Sequence, residues 1–258
     1  MHFDKIVDLH CHMLPGIDDG SPNLETSLEL AKKAVLDGVT HILLTPHHLD
    51  NRYVNHKFDV IKKTESFQQA LDKCKIPLQV FPGQEVHING DLPERYPDLL
   101  GTDIDTRYML LELPHSNVPV YTEKIIFELQ KLGITPIIVH PERNKEIQSN
   151  LNILYNFIQK GALAQITATS YVGGFGENVA DISQKLVENR LVQVVASDAH
   201  ALKGRDFVLR EALESIGDDF GPKVAMKFEK NAEDILNGNN VIASGYSKIR
   251  EKKRFFFF

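Results

Sequence analysis

Residues 8–12 read Asp8-Leu9-His10-Cys11-His12, and Asp198-Ala199-His200 repeats the same spacing near the other end of the chain. Residues two apart on an extended strand project to one side. His10 and His12 can therefore reach one metal ion together, and Asp198 and His200 can reach the same cavity. Asp19, His47, Glu85, Glu112 and His140 add ligand types at the ends of other apolar runs. The set holds five histidines and four carboxylates, more than one tetrahedral zinc takes. It suits two or three divalent ions that share at least one carboxylate. Nitrogen and oxygen ligands without thiolate fit Mn, Fe, Zn or Mg. Such ions bind phosphate oxygens and acidify water, which then attacks phosphorus with no protein nucleophile.

Arg143 follows His140-Pro141-Glu142, and Arg205 follows Gly204 beyond the Asp198/His200 pair. Guanidinium groups hold phosphate through paired hydrogen bonds and stabilise its transition-state charge. An isolated arginine is more often half of a surface ion pair; two arginines beside ligand motifs favour phosphate contact. Cys11 lies between two ligand positions, so alternation turns it into the core. A cysteine phosphatase needs an arginine a fixed short step after its nucleophile, where Cys11 has Ile17 and Cys74 has Val80. His48, His87 and His115 are expected outside the ligand set, although His115 replaces Glu112 if the fourth strand is shifted in register. Asp8 is expected to orient a ligand histidine from behind.

Apolar runs at Ile6–Leu9, His41–Thr45, Gln79–Pro82, Tyr108–Leu113, Thr135–His140, Leu163–Thr167 and Val192–Ser197 read as strands. Ile137-Ile138-Val139 and Val194-Val195-Ala196 are continuous enough for a parallel sheet buried on both faces. Amphipathic stretches at Asn23–Asp37, Phe58–Lys73, Tyr121–Leu132, Asn150–Lys160, Asn178–Asn189, Asp206–Ile216 and Pro222–Leu236 separate or follow them. Gly38 and Gly133 mark helix ends. Repeated strand–helix units argue for an α/β fold. Seven units can close into a barrel, whose chemistry gathers at the C-terminal ends of the strands. An open doubly wound sheet would gather loops there as well.

The 258 residues, 42% apolar and 25% charged, suffice for one large domain. The formal charge of −6 disfavours nucleic acid. Two cysteines outside any CxxC pair suit a reducing cytoplasm. The N-terminus lacks the apolar core of a signal peptide, and no apolar run reaches the ~20 residues that span a bilayer. Lys248, Arg250, Lys252, Lys253 and Arg254 precede Phe255–Phe258. A basic cluster followed by aromatics is suited to weak contact with an anionic membrane surface or a partner.

These residues resemble the polymerase and histidinol phosphatase (PHP) superfamily. Within it, they are similar to the protein tyrosine phosphatases of Gram-positive capsule and exopolysaccharide operons, the CpsB/YwqE-like group. The matching stretches are DLHCHMLPGIDDG at 8–20, TPHH at 45–48, PGQE at 82–85, LLEL at 110–113, VHPER at 139–143 and ASDAHALKGR at 196–205. The resemblance implies a distorted seven-stranded (βα)7 barrel over residues 1–245, a basic-aromatic tail over 246–258, and three metal ions, manganese foremost, with Fe, Zn, Mg or Co as alternatives. It implies His10, His12, Glu85 and Asp198 around one ion, Glu85, Glu112 and His140 around a second, and Asp19, His47 and His200 around a third. Arg143 and Arg205 match its phosphate-binding arginines, and Asp198 is placed to orient water or relay a proton. The implied substrate is phosphotyrosine on the tyrosine-rich tail of a bacterial kinase that regulates polysaccharide synthesis at the inner face of the membrane. Oligomeric state stays open. A histidinol-phosphate or other small-molecule PHP phosphoesterase is the alternative, and a non-catalytic binder of the phosphorylated tail is a reading from another class. A PHP nuclease or proofreading module fits poorly, because the chain is acidic and carries no polymerase-like sequence.

Overall fold

The computed structural model describes residues 3, 5–201 and 204–250. The first half contains β1 (Ile6–Cys11), α1 (Leu24–Leu36), β2 (Val39–Leu44), β3 (His47–His48), α2 (Lys57–Lys73), β4 (Gln79–Pro82), β5 (Glu85–His87) and β6 (Tyr108–Glu112). After it come α3 (Thr122–Lys131), β7 (Thr135–Val139), α4 (Lys145–Ser149), α5 (Asn152–Gln159), β8 (Leu163–Thr167), α6 (Ala168–Tyr171) and α7 (Glu177–Glu188). The last elements are β9 (Val194–Ala196), α8 (Leu209–Phe220) and α9 (Pro222–Leu236).

The strands form two parallel sheets, ordered β1-β2-β4 and β3-β5-β6-β7-β8-β9. The expected α/β class with parallel strands is present. Among the described residues nine strands stand where seven were expected, because the short strands β3 and β5 follow the expected runs His41–Thr45 and Gln79–Pro82. Thr45-Pro46 separates β2 from β3, and Gly83-Gln84 separates β4 from β5. Pro46 offers no backbone N–H to a ladder. The two pieces on each side of a break join different sheets. The end of β1 meets the segment after β9, where Asp198 N donates to His10 O (2.9 Å) and His12 N to Ala199 O (3.0 Å).

Two buried apolar groups lie on opposite faces of the strands. Val7, Leu9, Tyr108, Leu110, Ile137, Val139, Leu163, Val194 and Ala196 make the inner group, with Ala232 and Ile235 of α9 and Val241. Met109, Leu111, Ile138, Ala164 and Val195 alternate with them and face the helices. Full burial of one such aliphatic side chain contributes roughly 1.5–3 kcal/mol. The alternation is why these runs are apolar on both faces. Gly38 and Gly133 close α1 and α3 in the left-handed region, at φ +92° and +83°.

Several boundaries differ from the sequence reading. The helix expected over Asn150–Lys160 is α5, from Asn152 to Gln159, and a short helix, α4, precedes it outside the expected stretch. The helix expected at Asp206–Ile216 begins at Leu209 and runs on to Phe220. The last strand ends at Ala196, before Ser197. Cys11 is fully buried, as expected, and burial pushes its thiol well above the ordinary range.

Beyond α9 the chain crosses the base and climbs the outside of α5. Val241 N donates to Tyr108 Oη (2.7 Å), and Ser247 N donates to Asn189 O (3.1 Å). The Asn152 side chain exchanges two hydrogen bonds with the Ile249 backbone, both 3.1 Å. The described part of the basic-aromatic tail, residues 246–250, thus lies against α5 and the end of α7. Residues 251–258, with Lys252, Lys253, Arg254 and the four phenylalanines, lie outside the described residues. Among the described residues, no helix is long and apolar enough to cross a membrane.

Candidate metal centre

All nine expected ligand residues lie at the C-terminal ends of the strands or in the segments that follow them. A β-bulge aims the first pair. Asp8 pairs with Ile42 and Cys11 with Leu44, so β1 carries one extra residue across this stretch. The extra residue shifts the phase, so both Leu9 and His10 face inward. His140 and Asp198 are placed by backbone turns rather than strand alternation. Both are non-glycine residues in the left-handed region, at φ +36° and +50°. Such strain persists where surrounding structure over-determines it and clusters at functional sites.

The imidazoles are oriented from behind. His10 Nδ1 donates to Gln165 Oε1 (2.8 Å), and Gln165 Nε2 donates to Ile166 O (3.0 Å), which fixes the amide's direction. His12 Nδ1 donates to Asp18 Oδ2 (2.8 Å), and His200 Nδ1 donates to Asp198 O (2.9 Å). Each contact leaves Nε2 as the lone-pair nitrogen, turned inward. The Nε2 atoms of His10 and His12 then face each other at 3.1 Å.

Three groups of ligand atoms result. His12, Asp19, His47 and His200 form one, His10, His12 and Asp198 a second, and His47, Glu85 and Glu112 a third. Glu85 lies between them. Its Oε2 is 3.3 Å from His10 Nε2, 3.2 Å from His12 Nε2 and 2.9 Å from His47 Nδ1, while Oε1 is 2.7 Å from His140 Nε2. Relative to the expected sets, His12 also joins the Asp19 group and His47 also joins Glu85 and Glu112, whereas Glu85 falls outside the His10/His12/Asp198 group and His140 falls outside all three, meeting Glu85 Oε1 instead.

The arrangement fits divalent cations. Glu85 Oε2, His47 Nδ1 and His200 Nε2 are buried, yet none makes a hydrogen bond of usable geometry. Such atoms are costly to leave unsatisfied. All three belong to residues of the ligand groups, where an ion would satisfy them. The electrostatics agree. Burial opposes a charge on His47, but Glu85, Asp19 and Glu112 outweigh it and hold its pKa at about 12. Burial is likewise overcome at His12 by Asp18, which holds it at about 9. A field that draws protons onto imidazoles also draws metal ions, and the two compete.

Asp198 joins this cluster to the arginines. Its Oδ1 lies 3.5 Å from both His10 Nε2 and His12 Nε2. Its Oδ2 accepts from Arg143 Nη1 and, at 2.7 Å, from Arg205 Nη2. Burial would raise this carboxyl, yet Arg143, His10 and Arg205 hold it well below the usual range. Both guanidiniums therefore sit at the cluster's edge.

The neighbouring histidines separate cleanly. His48 is buried away from the cluster, where its Nδ1 accepts from Asn55 N (3.2 Å), and burial lowers its pKa to about 4. His87 Nδ1 lies 3.1 Å from Glu112 Oε2. His115 packs edge-on to His140, with ring centroids 6.0 Å apart. Glu112, at the end of β6, is the residue brought into the ligand group. Asp8 does not touch a ligand ring, contrary to the expectation. It accepts from His10 N (3.3 Å) and Ser197 N (2.9 Å), so it fixes backbone and ties β1 to the end of β9.

Asp18 and Gln165 are the supporting residues that sequence reasoning missed. An amide at the centre of the apolar run Leu163–Thr167 was the available signal for Gln165. Gln165→Ala is expected to weaken metal binding about 10–100-fold, while Gln165→Glu retains an acceptor. Competition with a chelating dye measures this, and unchanged affinity in the alanine variant would refute the orienting role. The loop bearing Asp18 and Asp19 depends on Gly20, where a Cβ would stand 2.0 Å from His12 O. Gly20→Ala is expected to displace this loop, at a cost of about 1–3 kcal/mol. A lowered Tm together with reduced metal content is the expected pair of readings.

The sequence profile of the family described as capsular polysaccharide synthesis, CpsB/CapC, matches residues 6–237. The chain is 40% identical over 257 residues to tyrosine-protein phosphatase YwqE of Bacillus subtilis (strain 168), across 98% of this chain and 100% of that protein. A crystal structure from work on YwqE of Bacillus subtilis and CpsB of Streptococcus pneumoniae, described there as metal-dependent tyrosine phosphatases, superposes with a TM-score of 0.92 at 38% identity. That match covers 95% of this chain and 100% of the other. The phosphotriesterase homology protein of Escherichia coli shares the fold at 10% identity and a TM-score of 0.58, over 92% and 100% of the two chains.

Proposed function

The chain belongs to the CpsB/CapC family of capsular polysaccharide synthesis proteins, and from that premise we propose that it is a metal-dependent protein tyrosine phosphatase. One observation carries the proposal most directly. Asp198 gathers Arg143 and Arg205 at the edge of a cluster in which His47 Nδ1, His200 Nε2 and Glu85 Oε2 are buried without hydrogen-bond partners. That is a place for a phosphate group beside metal ions.

The three overlapping ligand groups would hold two to three ions, manganese foremost, with Glu85 central among the residues that would hold them. We read the two sheets as seven staves of one distorted barrel, with β2–β3 and β4–β5 each one stave. When bound, divalent ions in this centre supply Lewis acidity toward phosphate and acidify water. The chain's own residues do the rest. Arg143 and Arg205 grip the phosphate oxygens and stabilise their developing charge. Asp198 aims both guanidiniums and orients the attacking water. Gln165 and Asp18 hold His10 and His12 in the tautomer that presents Nε2. Cys11, buried with a raised thiol pKa, supplies no thiolate.

The substrate is phosphotyrosine on a tyrosine kinase that regulates capsular or exopolysaccharide synthesis, in the cytoplasm near the membrane's inner face. Residues 1–245 form the catalytic domain, and residues 246–258 a basic-aromatic extension that contacts the membrane weakly.

The test is phosphate release from a phosphotyrosyl peptide, with phosphoserine and histidinol-phosphate controls. The protein is stripped with chelator and resupplied with Mn, Mg, Zn, Fe or Co in turn. Selective release from phosphotyrosine, restored by metal, is the expected outcome. Release from histidinol phosphate alone would move the substrate to a small molecule. No release from any of them, with phosphopeptide still bound, would make the protein a binder.

A further inference from the structure

Phe175 lies beside Arg143 at the edge of the ligand cluster. It lies in the segment Gly173-Gly174-Phe175-Gly176 between α6 and α7. Gly176 N donates to Gly173 O (2.9 Å), closing a four-residue turn with Phe175 at its third position. Gly173 and Gly176 take φ of +86° and +95°, which side chains rarely adopt. A Cβ on Gly174 would come within 2.5 Å of Thr169 Cγ2, so the turn lies close against α6. The backbone is thus built around presenting one aromatic ring.

That ring lies against Arg143, with Cζ 5.4 Å from its centroid. Phe175 remains only half-buried, so part of the ring stays open beside the guanidinium. The two are held in fixed relation by Glu142, the residue before Arg143. Its Oε1 accepts from Thr167 N (2.9 Å) and Ser170 Oγ (2.7 Å), which lie at the end of β8 and in α6. On another side of the cluster Tyr53 stacks on His47, with centroids 6.1 Å apart and planes 12° from parallel. Aromatic rings therefore flank a phosphate gripper on one side and a ligand group on the other.

We propose that Phe175 is a specificity-determining residue that packs against the aromatic ring of an aryl phosphate, and that the glycine-built turn exists to hold it there. The inference rests on the phosphatase reading above. Aromatic pairs prefer offset or edge-to-face contacts, and a ring already fixed on Arg143 loses little freedom when a second ring arrives. An alkyl phosphate would receive the arginine contacts without the ring contact.

Phosphonates test this without turnover, because their P–C bond is not hydrolysed. Calorimetry on the metal-loaded full chain compares phenylphosphonate with methylphosphonate, for the wild type, Phe175→Leu and Phe175→Tyr. The wild type is expected to prefer phenylphosphonate by about tenfold. Phe175→Leu loses the preference and Phe175→Tyr keeps it. A residue that only steadied Arg143 would weaken both ligands alike and leave their ratio unchanged, which overturns the inference. A wild type with no preference overturns it too. Hydrolysis of phosphotyrosyl peptide by the same preparation is scored separately, so failure of the phosphatase reading is recognised on its own.

Discussion

Glu85→Gln is expected to empty the metal centre and slow phosphate release by about 10³-fold or more. Lewis-acid stabilisation is worth several kcal/mol, and each ~1.36 kcal/mol is one decade of rate. Glu85 is the side chain on which the cluster converges: one oxygen lies within 3.3 Å of three imidazole nitrogens and the other 2.7 Å from a fourth. Glutamine matches its shape but not its charge. Its amide N–H groups would point at imidazole lone pairs or repel a cation. The four histidines would also lose the buried anion that favours positive charge beside them. Metal content by mass spectrometry and turnover on phosphotyrosyl peptide should fall together, while circular dichroism stays that of a folded chain. A Glu85→Gln protein with full metal content and full activity would remove Glu85 from the centre.

The arginine variants should behave differently. Arg143→Ala and Arg205→Ala are each expected to lower kcat/KM by about 10²–10³-fold, the usual loss on removing one preorganised donor. Neither residue is a metal ligand, so both variants should keep their ions. Each leaves Asp198 one remaining guanidinium partner, because both arginines contact the same oxygen. Arg143→Lys should recover part of the loss, since lysine restores the charge without the planar fork. Loss of metal in either alanine variant would show that the arginines hold the centre together, and the phosphate-binding assignment would fail. The contrast with Glu85→Gln is the point of the pair: metal and activity fall together in one case and separate in the other.

The residues that the fold brings together in the candidate centre were largely legible because their chemistry is written in residue type. Histidines and carboxylates at the ends of apolar runs stand out, and the one-residue spacings in 10–12 and 198–200 gave the first pairings. The geometry that delivers them was less visible. Alternation alone would have turned His10 away from the face of Leu9, yet the bulge in β1 brings both inward. Asp198 reaches its place through a left-handed turn that no periodicity reports. The breaks in two strands follow from Pro46 and Gly83, whose effect depends on which neighbour each half pairs with. Asp18 was overshadowed by Asp19 beside it, since only the fold decides which of two adjacent carboxylates faces His12. Phe175 carried no signal at all, because its meaning depends on Arg143, far away along the chain.

The site's two anchoring pairs come from the first and last strands, with His10 and His12 at one extreme and Asp198 and His200 at the other. During synthesis the His10/His12 pair is made long before the Asp198/His200 pair. The hydrogen bonds from Asp198 N to His10 O and from His12 N to Ala199 O join these extremes, so they form late. Until Asp198 and His200 have joined the fold, the nascent protein carries half-built clusters, so full metal loading is expected only after that closure.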